Sequence, residues 1–279
     1  MHSTNTKSAA TSRSSCQRAN GDLVVALRLR DGRTVLDDLR QEGCLKARFP
    51  RPVDWTEIVT LNSSGGIAGG DRMCSTITVQ EGAQATFAAQ AAERFYRALP
   101  DDAPAHVRTH ITVAPGASAE WLPQESILFD RCAFNRVLDV DIAPDGWFLG
   151  VESLVFGRAA MGERVLQARV RDTIRLRRAG RLLLHDAIRL EGDVAATLAR
   201  PAVAGGGHAV ATLVLVAQDA EARLEALRSV LPEGAGASAW NGMLVARFVA
   251  SNGAFLRAGI VAGLNCLRDG RRLPRVWMC

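Results

Sequence analysis

Four carboxylates, Glu120, Glu125, Asp130 and Glu152, fall in stretches that are otherwise apolar. A buried charge there is expensive unless it is paired. Either arginines such as Arg131 and Arg158 pair with them, or they line a wet interior passage, a setting that suits a hard or borderline cation in transit. As an acid–base pair of an enzyme, Glu125 and Glu152 would have to stand roughly 5 to 9 Å apart with one pKa raised. His106 and His110 alternate on one face of an expected strand with Arg108 between them. They make a weak metal-site candidate, and the intervening cation argues against a closed site. The glycine string LNSSGGIAGGD, Leu61 to Asp71, lacks the Lys-Ser/Thr ending and following helix of a phosphate loop, and it fails the dinucleotide-binding pattern for the same reason. Its glycines are explained by positive φ in a tight strand connection. They leave open why Asp71 follows them directly. The sequence contains neither G-x-S-x-G nor H-E-x-x-H, and Ser63-Ser64 has no evident base.

The elements that must carry these residues read as strands. Ile77 to Arg97 (ITVQEGAQATFAAQAAERFYR) and Ile111 to Arg131 (ITVAPGASAEWLPQESILFDR) match at an offset of 34 positions, with Phe87 opposite Trp121. A weaker third copy follows, IAPDGW from Ile142 restating VAPGAS and VESLVFGR from Val151 restating QESILFDR. Such a period implies stacked supersecondary units that bury their faces on one another. DLVVALRLR alternates apolar and polar residues into the Asp31-Gly32 turn before RTVLDDL resumes. Further strands are expected at residues 58–62, 73–79, 84–89, 107–113, 119–122, 126–129, 137–142, 148–156 and 165–177, each bounded by turn residues. Two segments have helical spacing. Asp219 to Leu231 is stopped by Pro232; Asn252 to Arg268 has Phe255, Leu256, Ile260, Leu264 and Leu267 on one side, Asn252 as N-cap and Gly270 just past its end. The strand MLVARFVA lies between them.

Composition narrows the class. The chain has 279 residues, 48% of them hydrophobic, enough for a substantial core. Its 34 basic and 29 acidic residues are interspersed, and RDTIRLRRAGR alternates as a strand with a solvated basic face does, the other reading being a contact surface for an acidic partner. One tyrosine and no aromatic–basic cluster give no support to nucleic-acid binding. Six cysteines form no C-x-x-C pair, so reduced thiols are expected. Residues 1–20 are polar and lack the apolar core of a secretory signal; a disordered tail is expected there, followed by a single β-rich domain over 21–279. No apolar run approaches a membrane span in length, and a cytoplasmic location is expected.

LNSSGGIAGGD, followed in order by QAAERFYR, EWLPQESILFDR, ESLVFGRAAMGE, HDAIRLEGD and the terminal LPRVW, resembles the UreD (UreH) urease accessory protein family over nearly the whole chain beyond residue 20. The resemblance implies a mainly β fold of strands stacked in a helical or sandwich-like arrangement, with two α-helices in the C-terminal part that help dock a partner. It implies a non-enzymatic scaffold that binds apo-urease and UreF, which recruits the GTPase UreG, and that helps deliver Ni²⁺ through an internal tunnel to the urease active site. No cofactor would be tightly bound. On that basis Asp71, Glu93, Glu120, Glu125, Asp130 and Glu152 are candidate tunnel-lining residues, Arg158 of the FGR motif is a pairing partner for one of them, and Phe255, Leu256, Ile260 and Leu264 are a candidate docking face. A conduit should hold its ion weakly on dispersed oxygens, and the absence of clustered His and Cys agrees with that, as it would with a protein that binds no metal. The rival to this family reading is a β-repeat module that binds protein or saccharide through exposed Trp121 and Trp147.

Overall fold

Alternating residues build strands that belong to two facing sheets. The computed structural model describes residues 17–158 and 161–278. The first strands are β1 (Asn20–Arg30), β2 (Arg33–Gly43), β3 (Leu45–Arg48), β4 (Thr56–Asn62), β5 (Arg72–Val79) and β6 (Gln84–Ala89). Then come β7 (Glu93–Phe95), β8 (Ala105–Val113), β9 (Ser118–Leu122), β10 (Ser126–Leu128), β11 (Ala133–Ile142) and β12 (Trp147–Phe156). The last are β13 (Gln167–Arg178), β14 (Arg181–Asp193), β15 (Ala209–Val216), β16 (Ala235–Trp240) and β17 (Met243–Ala250). The first sheet has the order β14-β13-β11-β8-β5-β1-β2, and the second β16-β17-β15-β12-β9-β6-β4-β3, with β10 bridging β12 and β7.

From β4 to β13 the chain passes back and forth between the sheets, and each strand pairs in parallel with its counterpart from the neighbouring coil. The internal repeat is this stacking. Ile77 lies beside Ile111 in the first sheet and Phe87 beside Trp121 in the second. The third copy holds at its start, where Ile142 pairs with Val113, and slips by one residue at its end, where Ser126 meets Leu154 rather than Ser153. Antiparallel hairpins close the margins of the stack.

The interlayer core joins Leu23, Val25, Ile77 and Ile111 of the first sheet to Ile58, Phe87, Trp121 and Phe148 of the second. A second core covers the outer face of the second sheet with helix α3 (Gly253–Leu267). Asn252 caps α3 by accepting from the Phe255 N–H at 3.0 Å, as its spacing led one to expect. The expected helix at 219–231 is shorter than its spacing suggests: a 3₁₀ turn (Glu221–Arg223) runs into α2 (Leu224–Arg228). No side chain caps it, and Leu227 is its one buried residue.

A five-residue helix α1 (Val194–Leu198) and strands β14 and β15 carry no clear signal in the sequence. β14 is a margin strand with Leu190 alone buried; β15 (AVATLVLV) is covered on both faces and so shows no alternation. Most of the polar tail lies outside the described residues. Its last part is engaged, because Arg18 pairs with Asp102 and β1 begins at Asn20.

Candidate functional site

Strand β11 turns Phe134, Leu138 and Val140 inward, and at the same parity it turns Arg136 inward too. Its register partner on β13 is Asp172, which interrupts the inward row of Val170, Ile174 and Leu176 in the same way. The pair is bidentate, with Arg136 Nε donating to Asp172 Oδ1 at 2.8 Å and Nη2 to Oδ2 at 2.6 Å. Nη1 donates to Ser126 Oγ at 2.8 Å and lies 2.7 Å from Glu152 Oε2. That contact is an ion pair outside hydrogen-bond geometry, so Oε2 is buried without a hydrogen bond. Glu152 Oε1 accepts from the Trp121 indole at 2.8 Å.

Arg136, Ser126, Glu152 and Trp121 border a cavity of about 280 Å³ between the sheets, whose wall also includes Glu93, Asn62 and Gln124. The parallel ladder β7-β10-β12 places Glu93 beside Ser126. Glu93 Oε2 accepts from Asn62 at 3.3 Å and Oε1 from the Arg94 N–H at 3.1 Å. On its far side, Glu152 and Asp172 also border a small void with Asp186 and Thr212. Asp186 accepts from the Thr212 hydroxyl at 3.3 Å and pairs with Arg247 at 2.7 Å. A line of polar groups therefore crosses the interior from Glu93 to the half-exposed Arg247.

Burial pushes the Glu93 carboxyl above its usual range, against the opposing hydrogen bonds from Arg94 and Asn62. Burial also opposes the charge of Arg136, but Asp172 and Glu152 outweigh it and hold the guanidinium above its usual value. Two carboxylates share this one cation. Burial raises the Glu152 carboxyl above its usual range; Arg136 counters that, and the charge of Asp172 raises it again.

The other candidates have structural partners. Asp71 closes the glycine loop: Oδ1 accepts from Ala19 N–H and Oδ2 from Ala68 N–H, both at 2.8 Å. That is why an aspartate follows the glycines. Glu120 is fully buried on the opposite face of the second sheet from Trp121. It accepts from Arg268 at 2.9 and 2.8 Å, from Arg271 at 3.1 Å and from Thr86 at 2.6 Å. Arg271 in turn stacks on Trp55 and Trp147, with its guanidinium carbon 3.9 and 5.2 Å from the ring centroids. Glu125 pairs with Arg257 at 3.3 Å, apart from the arginine that holds Glu152. Asp130 accepts from the N–H groups of Leu166 and Gln167 at 2.8 and 2.9 Å, with Arg131 3.6 Å away.

Arg158 pairs with Glu163 at 2.7 Å rather than with a carboxylate of the candidate set, because Glu163 lies just beyond it on the same connection. His106 and His110 point outward from the first sheet. His110 lies 3.7 Å from Asp141, and among the described residues no three acidic, cysteine or histidine groups converge to hold a metal ion. Leu256, Ile260 and Leu264 are buried against this chain's own second sheet, which removes them from any docking face; of the four, Phe255 alone is exposed.

The sequence reading missed Arg136 and Asp172, the centre of the corridor. The signal was present: each is a lone charge at the apolar parity of an alternating strand. Arg171, Arg175 and Arg177 sit at the opposite parity, on the outer face expected of a solvated basic run. Trp121 is 9% exposed and Trp147 packs edge-on against Trp55, so neither is displayed as a saccharide platform.

Residues 19–278 match the model of the family described as UreD urease accessory protein. The chain is similar to urease accessory protein UreD of Rhodopseudomonas palustris (strain BisB18), 43% identical over 265 residues that cover 94% of each chain. It is likewise similar to urease accessory protein UreD of Rhizobium leguminosarum bv. trifolii (strain WSM2304), 45% identical over 264 residues that cover 94% of this chain and 96% of the relative. With urease accessory protein UreD of Methylobacterium sp. (strain 4-46) it shares 44% identity over 271 residues, 94% of this chain and 95% of the relative.

Proposed function

This chain belongs to the UreD urease accessory protein family, with a general role in urease maturation, and from that premise we propose that it is a scaffold through which Ni²⁺ passes on its way to apo-urease. It binds apo-urease and UreF-like and UreG-like accessory proteins, and it performs no chemical step of its own. Nickel is cargo rather than a resident cofactor.

The observation that carries this reading is the cavity between the sheets, lined by Glu93 and Glu152 and continued by Asp172 and Asp186. The donor set suits transit. It consists of carboxylate, amide and hydroxyl oxygens with one thioether, Met73, and Glu152 Oε2 is buried with no hydrogen bond to satisfy it. Among the described residues neither a cysteine nor a histidine borders the cavity, so an ion entering it would meet weak donors in succession rather than a trap. Glu93 sits where the ion would first meet a carboxylate; Glu152 and Asp172 would receive it next. Among the described residues no helix is long and apolar enough to cross a membrane, and the proposed partners place the work in the cytoplasm.

The test is the nickel content and activity of urease in cells lacking only this gene, re-supplied with wild type, Glu93→Gln or Glu152→Gln. The expected result is apo-urease without the gene, full loading with wild type, and reduced loading with either variant at equal protein level. Fully loaded urease in the deletion strain would remove the maturation role, and full loading with both variants would remove the passage.

A further inference from the structure

Arg136 stands beside Glu152, the residue common to the large cavity and the small void. Glu152 borders both the large cavity and the small void beyond it, Asp172 borders only the second, and the Arg136 guanidinium is held between the two carboxylates. It is nearly fully buried and uses Nε, Nη1 and Nη2 on three residues of three different strands. A guanidinium and a divalent cation seek the same carboxylate oxygens, and two buried cations cannot share them at this separation.

We propose that Arg136 is the gate of the passage: its guanidinium is a resident cation that keeps a metal ion out of the space between Glu152 and Asp172 until it swings aside. This rests on the passage reading above. The gate also explains why two adjacent buried carboxylates do not become a permanent metal site. With the arginine in place both carboxylates already have a cation, and an ion advances only by displacing it. Glu93 offers the displaced guanidinium a second carboxylate, since it lies on the wall of the same cavity and already acts electrostatically on Arg136. Ion movement and arginine movement are then one exchange: the dication leaves Glu93 as the guanidinium arrives there, and the Glu152–Asp172 pair trades one positive charge for two.

The experiment uses the purified full chain and NiCl₂. By equilibrium dialysis, Arg136→Met and Arg136→Gln are expected to retain one more equivalent of nickel per chain than wild type. The extra equivalent should vanish when Glu152→Gln is added. A folded Arg136 variant that binds no more nickel than wild type would overturn the gate. The unaltered chain supplies a second readout through paramagnetic broadening by nickel. The side-chain amide of Asn62, bonded to Glu93, should broaden, while the indole N–H of Trp121, bonded to Glu152, persists. Broadening of both together, or of neither, would overturn the proposal even if the variants fail to fold. The passage reading fails separately, by full urease loading with Glu93→Gln and Glu152→Gln whatever the dialysis gives.

Discussion

Replacing Arg268 by alanine would leave Glu120 fully buried with its main counter-charge gone. In the native chain Arg268 is 2% exposed and makes two hydrogen bonds to this carboxylate, so both charges are desolvated and each depends on the other. Removing one partner of such a pair costs ~3–5 kcal/mol, because the remaining charge stays buried. Arg271 at 3.1 Å and the Thr86 hydroxyl at 2.6 Å still reach Glu120, which places the expected loss at the lower end, about 3 kcal/mol. For a chain of this size that lowers the melting temperature by roughly 6–12 °C. The assay is thermal and urea unfolding of wild type, Arg268→Ala and the double variant Glu120→Gln/Arg268→Met. The double variant removes the orphaned charge along with its partner, and should recover more than half of the loss. A loss below about 1 kcal/mol in Arg268→Ala, or a double variant weaker than the single, would refute the view that this pair fastens the end of α3 to the second sheet.

Further outcomes follow from burial and backbone geometry. Leu256→Asp should yield insoluble chain rather than a folded protein that merely loses a partner. Deleting a core leucine alone costs ~2–5 kcal/mol, and a buried carboxylate is added; soluble, natively melting Leu256→Asp would contradict the packing described here. Phe255→Asp, at a side chain 66% exposed, should change unfolding free energy by no more than about 0.5 kcal/mol, so any loss of co-purification with a UreF-like partner can be read as loss of contact. Gly66→Ala should destabilise by more than about 1 kcal/mol in urea melts, because its φ is +143° and a Cβ there would collide with the Tyr96 ring and lie 2.9 Å from the Arg94 carbonyl. Because the folded-state pKa of Glu93 is raised, the folded chain holds its proton more tightly than the unfolded chain. That contribution is fully present below pH about 4.5 and is lost as pH rises through the folded pKa, so Glu93→Gln should equal wild type in acid and exceed it near neutrality; equal melting temperatures at both ends would contradict the burial of this carboxyl.

Most strands, the α3 helix, the stacking of the first two repeats and the family are legible in the order of the residues. Alternation fixes strands because only one parity can face the core, and the repeat sets the register of its first two copies, because a slip of one residue would turn every apolar side chain outward, whereas the third copy slips at its end. Phe87 beside Trp121 and the Asn252 cap follow from such short-range rules. Partners far apart in the chain were decided by tertiary structure. Arg136 meets Asp172 across 36 residues and Arg268 meets Glu120 across 148, and local periodicity does not specify which charged side chain meets which. The apolar side of α3 illustrates the same limit. Its spacing shows that Leu256, Ile260 and Leu264 must be covered, but a hydrophobic stripe is non-directional, and only the packed chain reveals that its own second sheet covers it. The carboxylates divide for the same reason: Glu120 and Glu152 look alike in sequence, yet one side of the second sheet holds a fixed clamp and the other a cavity.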